Sequence, residues 1–166
     1  KAEGRYELDK SPLELTVDDM KKALHLSFIL AYAQGFVQLK SASEAYDYDL
    51  NMEVIAKIWR GGCIIRSTLL EDFRKAFDAE PTIDNILMSE VLVDKVKTEL
   101  PQLKKVVSAA LGSGYPVPAL SASLNYFLSY TSGRLPLNLI QAQRDHFGSH
   151  TYERIDREGI FHTEWD

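Results

Sequence analysis

Between Met20 and Tyr46 the apolar residues recur at helical spacing and nearly encircle the segment through its middle. A helix wet along one face would not show that pattern, so the segment is predicted to be a long helix central to the core. Thr16 supplies its N-cap, and Asp19 approximates a capping box with a shorter acid than the usual Glu. After the turn-like Asp47-Tyr48-Asp49, Asn51 caps a second helix that ends at Trp59 or Arg60, where Gly61-Gly62 interrupts the pattern. A third helix, roughly Ile64 to Asp78, would set Ile65, Leu69, Phe73 and Phe77 on one stripe before Pro81 stops it. A turn around Ile83 to Leu87 then leads to a helical stretch from Ser89 to Leu111. Pro101 lies inside that stretch and predicts a kink or a junction of two helices, because proline lacks the amide donor and crowds the preceding turn.

Gly112 to Pro118 is the clearest loop, Ala119 to Tyr130 restores a helix, and Pro136 can open the last one at its first position. Residues 1–15 are polar with Pro12 and read as a linker or irregular lead-in. Residues 151–166 lack a sustained period and read as a tail with aromatic anchors at Tyr152, Phe161 and Trp165. The expected class is all-α: about six or seven packed helices in a domain over residues 16–150, followed by an irregular C-terminal tail.

Bulk properties narrow the picture. A chain of 166 residues with 45% apolar and 26% charged residues can bury a real core and resembles neither a disordered nor a membrane protein. The longest apolar stretch, Ala23 to Leu39, is broken by His25, Ser27, Gln34, Gly35 and Gln38, too polar for a membrane span. A net charge of -5 argues against general nucleic-acid binding but leaves room for a local basic site. Cys63 is the only cysteine, which excludes an intrachain disulfide and fits a reducing, cytoplasmic compartment; its apolar neighbours mark it as a buried structural thiol. The chain opens at Lys1 without an initiator methionine or a signal-peptide pattern, a start that a cut from something longer, processing or an expression scar would each produce.

Most catalytic chemistries lack their residues. No glycine-rich phosphate cradle follows a strand, no serine lies in a nucleophile elbow, and no metal set is expected from His25, His146, His150 and His162 with a single thiol. Gly61-Gly62 reads as a sharp break or a close helix approach. Arg60 and Arg66 flank the apolar run Cys63-Ile64-Ile65, where arginines ordinarily satisfy carbonyls or carboxylates. The segment from Leu139 to Thr151 is richer. A helical pattern runs through Leu139, Ile140, Gln143 and Phe147, and Gly148 sits where a left-handed helix stop would fall. Arg144 would then project from the last turns and His150 from just beyond the stop, so both can converge on one anion such as a phosphate. An arginine near a helix C-terminus is also favoured by the macrodipole alone, and a lone histidine is often structural.

Two segments carry a family likeness. Ile58-Trp59-Arg60-Gly61-Gly62-Cys63-Ile64-Ile65-Arg66-Ser67 and Leu139 to Tyr152 closely resemble the all-helical C-terminal domain of the 6-phosphogluconate dehydrogenases, the decarboxylating enzymes of the pentose phosphate pathway. Ala31-Tyr32-Ala33-Gln34-Gly35-Phe36 and Phe161-His162-Thr163-Glu164-Trp165 fit the same family in the same order. The resemblance implies a homodimer in which Arg144 and His150 reach the phosphate of 6-phosphogluconate bound mainly by the partner subunit. It implies NADP as coenzyme, held mainly by an N-terminal dinucleotide-binding domain, and a lysine base and glutamate acid from segments upstream of those matched. The 166 residues alone are therefore expected to be inactive, with no catalytic, cofactor-binding or metal-binding residue of their own. His146 stands where the family often has Tyr, a change expected to preserve packing, and the glycine-rich tail that often follows the tryptophan is not present after Asp166. A non-catalytic helical dimerisation module and a related sugar-acid dehydrogenase are the alternative readings.

Overall fold

The computed structural model describes Arg5 and residues 10–165; the remainder of the expected lead-in over residues 1–15 lies outside the described residues. The chain divides into two compact units, residues 1–128 and 129–166.

In the first unit, α1 (Val17–Tyr46) starts at the expected capping box: Asp19 donates its amide to Thr16 Oγ1 at 3.1 Å, and Thr16 returns its own amide to Asp19 Oδ2 at 3.0 Å. Asn51 caps α2 (Met52–Arg60) by accepting the Val54 amide at 3.1 Å. The helix stops at Gly61, whose amide bonds back to the carbonyls of Lys57 and Ile58. α3 (Leu69–Ala79) begins five residues later than the sequence pattern suggests. Cys63 to Arg66 instead closes a turn, with the Arg66 amide on the Cys63 carbonyl at 3.1 Å, and Ser67 Oγ accepts the Leu69 amide as the helix opens. Ile65 consequently leaves the apolar stripe; Leu69, Phe73 and Phe77 keep it and are buried.

A short 3-10 turn (Ile86–Met88) precedes α4 (Glu90–Gly112), which runs through Pro101 as one helix rather than two. α5 spans Pro118–Tyr130. α1 packs against α4 and α2 against α3, around a core that includes Leu26, Leu30, Phe73, Leu92 and Leu103, each completely buried. Phe36 is the aromatic hinge of this core, with its ring centroid 4.9 Å from Trp59 and 4.9 Å from Phe77. Such ring pairs add to the area term through their quadrupoles. The apolar residues encircling α1 are only partly covered: Met20, Leu24 and Phe28 stay about half exposed along one stripe.

In the second unit, Pro136 does not open the last helix. The Leu137 amide folds back onto the Leu135 carbonyl at 2.8 Å, and α6 (Asn138–Gly148) starts from Leu137. The tail holds more order than its sequence suggests, since β1 (Tyr152–Glu153) and β2 (Ile160–Phe161) pair antiparallel, Tyr152 opposite Phe161. A two-residue ladder offers too little alternation to be read from sequence.

Candidate functional site

The geometry around the end of α6 differs from the expected stop in an informative way. Gly148 is the last residue of the helix, and Ser149 takes the left-handed position at φ 51° and ψ 39°, its amide bonded to the Asp145 carbonyl at 2.9 Å. The glycine serves another purpose. A Cβ placed on Gly148 would lie 2.9 Å from His150 Cδ2 and 3.0 Å from Nε2, so the missing side chain is what lets the imidazole fold back over the helix end. Thr151, on the far side of His150, is also left-handed at φ 61°. A β-branched residue there is a steric outlier, and such strain persists only where neighbouring groups over-determine it.

Those neighbours are on α6. Asp145 Oδ1 accepts the Thr151 amide at 3.0 Å, and the Gln141 side-chain nitrogen donates to the Thr151 carbonyl at 2.5 Å. The same Gln141 offers its oxygen to Arg144 Nη1 at 3.1 Å. Arg144 and His150 thereby line one open concavity of about 400 Å³ with Ile140, Gln143, Phe147 and Gly148. Both cationic-capable groups are exposed, and among the described residues neither is paired with a carboxylate. A guanidinium with most of its donors unused beside an imidazole suits an oxyanion of phosphate size.

The residue that sequence reading passed over is Asp145. Although flanked by Arg144 and His146, it is completely buried. Besides Thr151 it accepts from His162 Nδ1 at 2.8 Å, the Thr163 amide at 2.9 Å and the Trp165 indole at 3.1 Å. Burial by itself would push its pKa up; the His162 side chain, the Thr163 amide and the Trp165 indole outweigh that and hold it at about 2. Its partners lie up to twenty positions downstream, so no local spacing could have marked it. His146 packs edge-on against Trp165 with ring centroids 5.5 Å apart, an aromatic role.

In the first unit Arg60 is held by Glu71, Nη1 to Oε2 at 2.6 Å. Arg66 is exposed and lines an apolar groove of about 550 Å³ with Phe28, Tyr32, Trp59, Ile64 and Ile65. Cys63 is half-buried on the turn rather than enclosed, because the break after Gly61 carries it out of any helix and away from the core. Ile64, at the turn's tip, is fully exposed, and Tyr32 donates its hydroxyl to the Ile65 carbonyl. Among the described residues no set of three or more His, Cys, Asp or Glu is gathered to hold a metal ion, and no helix is long and apolar enough to cross a membrane.

Fold and site together define a helical domain whose C-terminal unit presents Arg144 and His150 on one open edge. The family described as 6-phosphogluconate dehydrogenase, C-terminal domain, matches residues 2–165, and the chain belongs to that family. It is 51% identical over 152 residues to the NADP(+)-dependent, decarboxylating 6-phosphogluconate dehydrogenase of Bacillus subtilis, covering 92% of this chain and 32% of that protein. To the decarboxylating 6-phosphogluconate dehydrogenase of Escherichia coli it is 48% identical over 149 residues, 90% of this chain and 32% of the relative. The solved Plasmodium falciparum 6-phosphogluconate dehydrogenase, described in its apo form and in complex with NADP+ and with 6-phosphogluconate, superposes with a TM-score of 0.88 at 42% identity. That match covers 99% of this chain and 36% of the Plasmodium chain. The chain thus spans about a third of the length of the relatives it matches.

Proposed function

We propose that the chain serves as the C-terminal helical portion of a 6-phosphogluconate dehydrogenase that uses NADP to oxidise and decarboxylate 6-phosphogluconate to ribulose 5-phosphate. The observation that carries this reading is the shared concavity of Arg144 and His150, within a chain half identical to a decarboxylating relative. Arg144 grips the substrate phosphate through its guanidinium fork, and His150 adds a further hydrogen bond. Neither group reacts. Anchoring the phosphate, remote from the bond being broken, orients the hydroxyl that loses hydride and the carboxylate that leaves, so binding energy becomes alignment.

The site is completed in trans by a second copy of the chain. Leu139, Ile140 and Phe147 are more than half exposed around Arg144 on α6, an apolar surround suited to a homodimer contact. NADP supplies the hydride acceptor when bound. In this reading the coenzyme is held mainly by an N-terminal dinucleotide-binding domain of the complete enzyme. The reading places the protein in the cytoplasm, where the Cys63 thiol stays reduced.

The test is a complete enzyme made by joining this chain to the remaining two thirds of the Bacillus subtilis relative. Arg144→Ala in that enzyme should raise KM for 6-phosphogluconate by ~30-fold to ~1000-fold, the equivalent of roughly 2 to 4 kcal/mol for truncating one partner of a charge-assisted contact. Steady-state kinetics showing an unchanged KM would remove Arg144 from the site.

A further inference from the structure

The turn that presents His150 is not stable by local preference. Ser149 and Thr151 both sit in the left-handed region, at φ 51° and 61°, so the histidine is held between two unfavourable backbone positions. Left-handed backbone is unfavourable for a residue that carries a Cβ, and more so for a β-branched one. Both backbone groups of Thr151 are tied down from one turn of α6, its amide by Asp145 and its carbonyl by Gln141. Asp145 in turn has no solvent contact, and its other acceptor positions are filled from the end of the chain: His162, the Thr163 amide and the Trp165 indole. A carboxylate with four donors in fixed directions has one orientation open to it.

We infer that Asp145 is a positioning residue for the anion site, and that segment 162–165 belongs to the site as the clamp that orients Asp145, holds Thr151 and so aims the His150 imidazole. The inference rests on the reading of Arg144 and His150 as a phosphate site. It assigns to the Phe161-His162-Thr163-Glu164-Trp165 segment a task in substrate binding although none of its side chains lines the Arg144 concavity. Trp165 acts here through its N–H, not through contact with substrate. Gln141 couples the same turn to Arg144, so loosening the turn disturbs both phosphate ligands together.

Two variants probe the clamp at different strengths in the complete enzyme described above. Asp145→Asn turns an amide nitrogen toward two donors, and Trp165→Phe removes one donor while keeping a ring against His146. Asp145→Asn should raise KM for 6-phosphogluconate about tenfold with kcat changed less than about twofold, and Trp165→Phe should shift KM the same way by less. A role in folding alone would reduce kcat through lost active enzyme at unchanged KM, and that result would overturn the inference. Should Asp145→Asn not fold, Trp165→Phe decides the matter together with hydrogen exchange at the Thr151 amide, which should lose protection in that variant. Arg144→Ala separates the two readings. If it leaves KM unchanged, the phosphate site itself fails; if it raises KM while Trp165→Phe and Asp145→Asn do not, the clamp alone fails.

Discussion

Gly148 shows how a single absent carbon can serve a site. Its place at the end of α6 invites the usual explanation, a left-handed stop, yet that conformation belongs to Ser149, and what Gly148 provides is room for the His150 ring. Gly148→Ala therefore separates stability from function. Alanine is the better helix former by about 1 kcal/mol, so thermal unfolding should occur at the same or a higher temperature. The imidazole, 2.9 Å from the new methyl, has to swing away, and in the complete enzyme of the proposed function KM for 6-phosphogluconate should rise severalfold. A melting temperature lowered with KM intact would show that the glycine is structural after all. The same scale explains why Asp145 was invisible in the sequence. In a run of Arg144-Asp145-His146 a carboxylate looks solvated, and only the returning chain end converts it into a buried acceptor.

Among the elements, α3 marks the limit of periodicity. Leu69, Phe73 and Phe77 hold their stripe, but the helix starts after a Cys63–Arg66 turn, so Ile64 and Ile65 become surface residues. Periodicity registers apolar positions without knowing whether a neighbour covers them, and a glycine pair upstream lets the chain choose a turn over another helical turn. The consequence for stability is sharp. Phe73 is completely buried against Tyr32 and Phe36, with ring centroids at 5.3 Å and 5.8 Å. Phe73→Ala should cost about 3 to 5 kcal/mol by denaturant unfolding, through lost transfer energy and the cavity left behind. Ile64→Ala, on the exposed tip, should change stability by less than about 0.5 kcal/mol. Equal losses at the two positions would contradict the packing described. Capping was the more legible signal: Thr16 with Asp19, and Asn51, bond as their spacing predicts because a cap is a contact within one turn.

Across the molecule, each unit contains a carboxylate that its neighbours hold well below the ordinary range. Asp19 in the first is held at about 2 by the Lys105 side chain and by Thr16. Asp145 in the second reaches about 2 despite burial, through His162, Thr163 and Trp165. Both folded values lie below the ordinary 3.8, so the stability they contribute is complete above that pH and drains away as pH falls through the folded values near 2. Acid titration followed by the Thr16 amide and the Trp165 indole N–H in NMR spectra should show both units loosening from about pH 4 downward. Native chemical shifts persisting for both probes at pH 2 would rule this linkage out.

Family membership, the all-helical class and the pairing of Arg144 with His150 on one edge were legible in the sequence, since each depends on residues close together in the chain or on ordered local motifs. Tertiary structure alone decided that Cys63, Ile64 and Ile65 leave the core, that α4 passes Pro101 as one helix, and that Thr151 is forced into a left-handed turn. It also decided that the Thr151 amide beside His150 meets a buried carboxylate whose remaining donors arrive from residues 162–165. Local propensity is set within a turn or two, whereas burial, strain and the satisfaction of a buried charge depend on what returns to the same place from far along the chain.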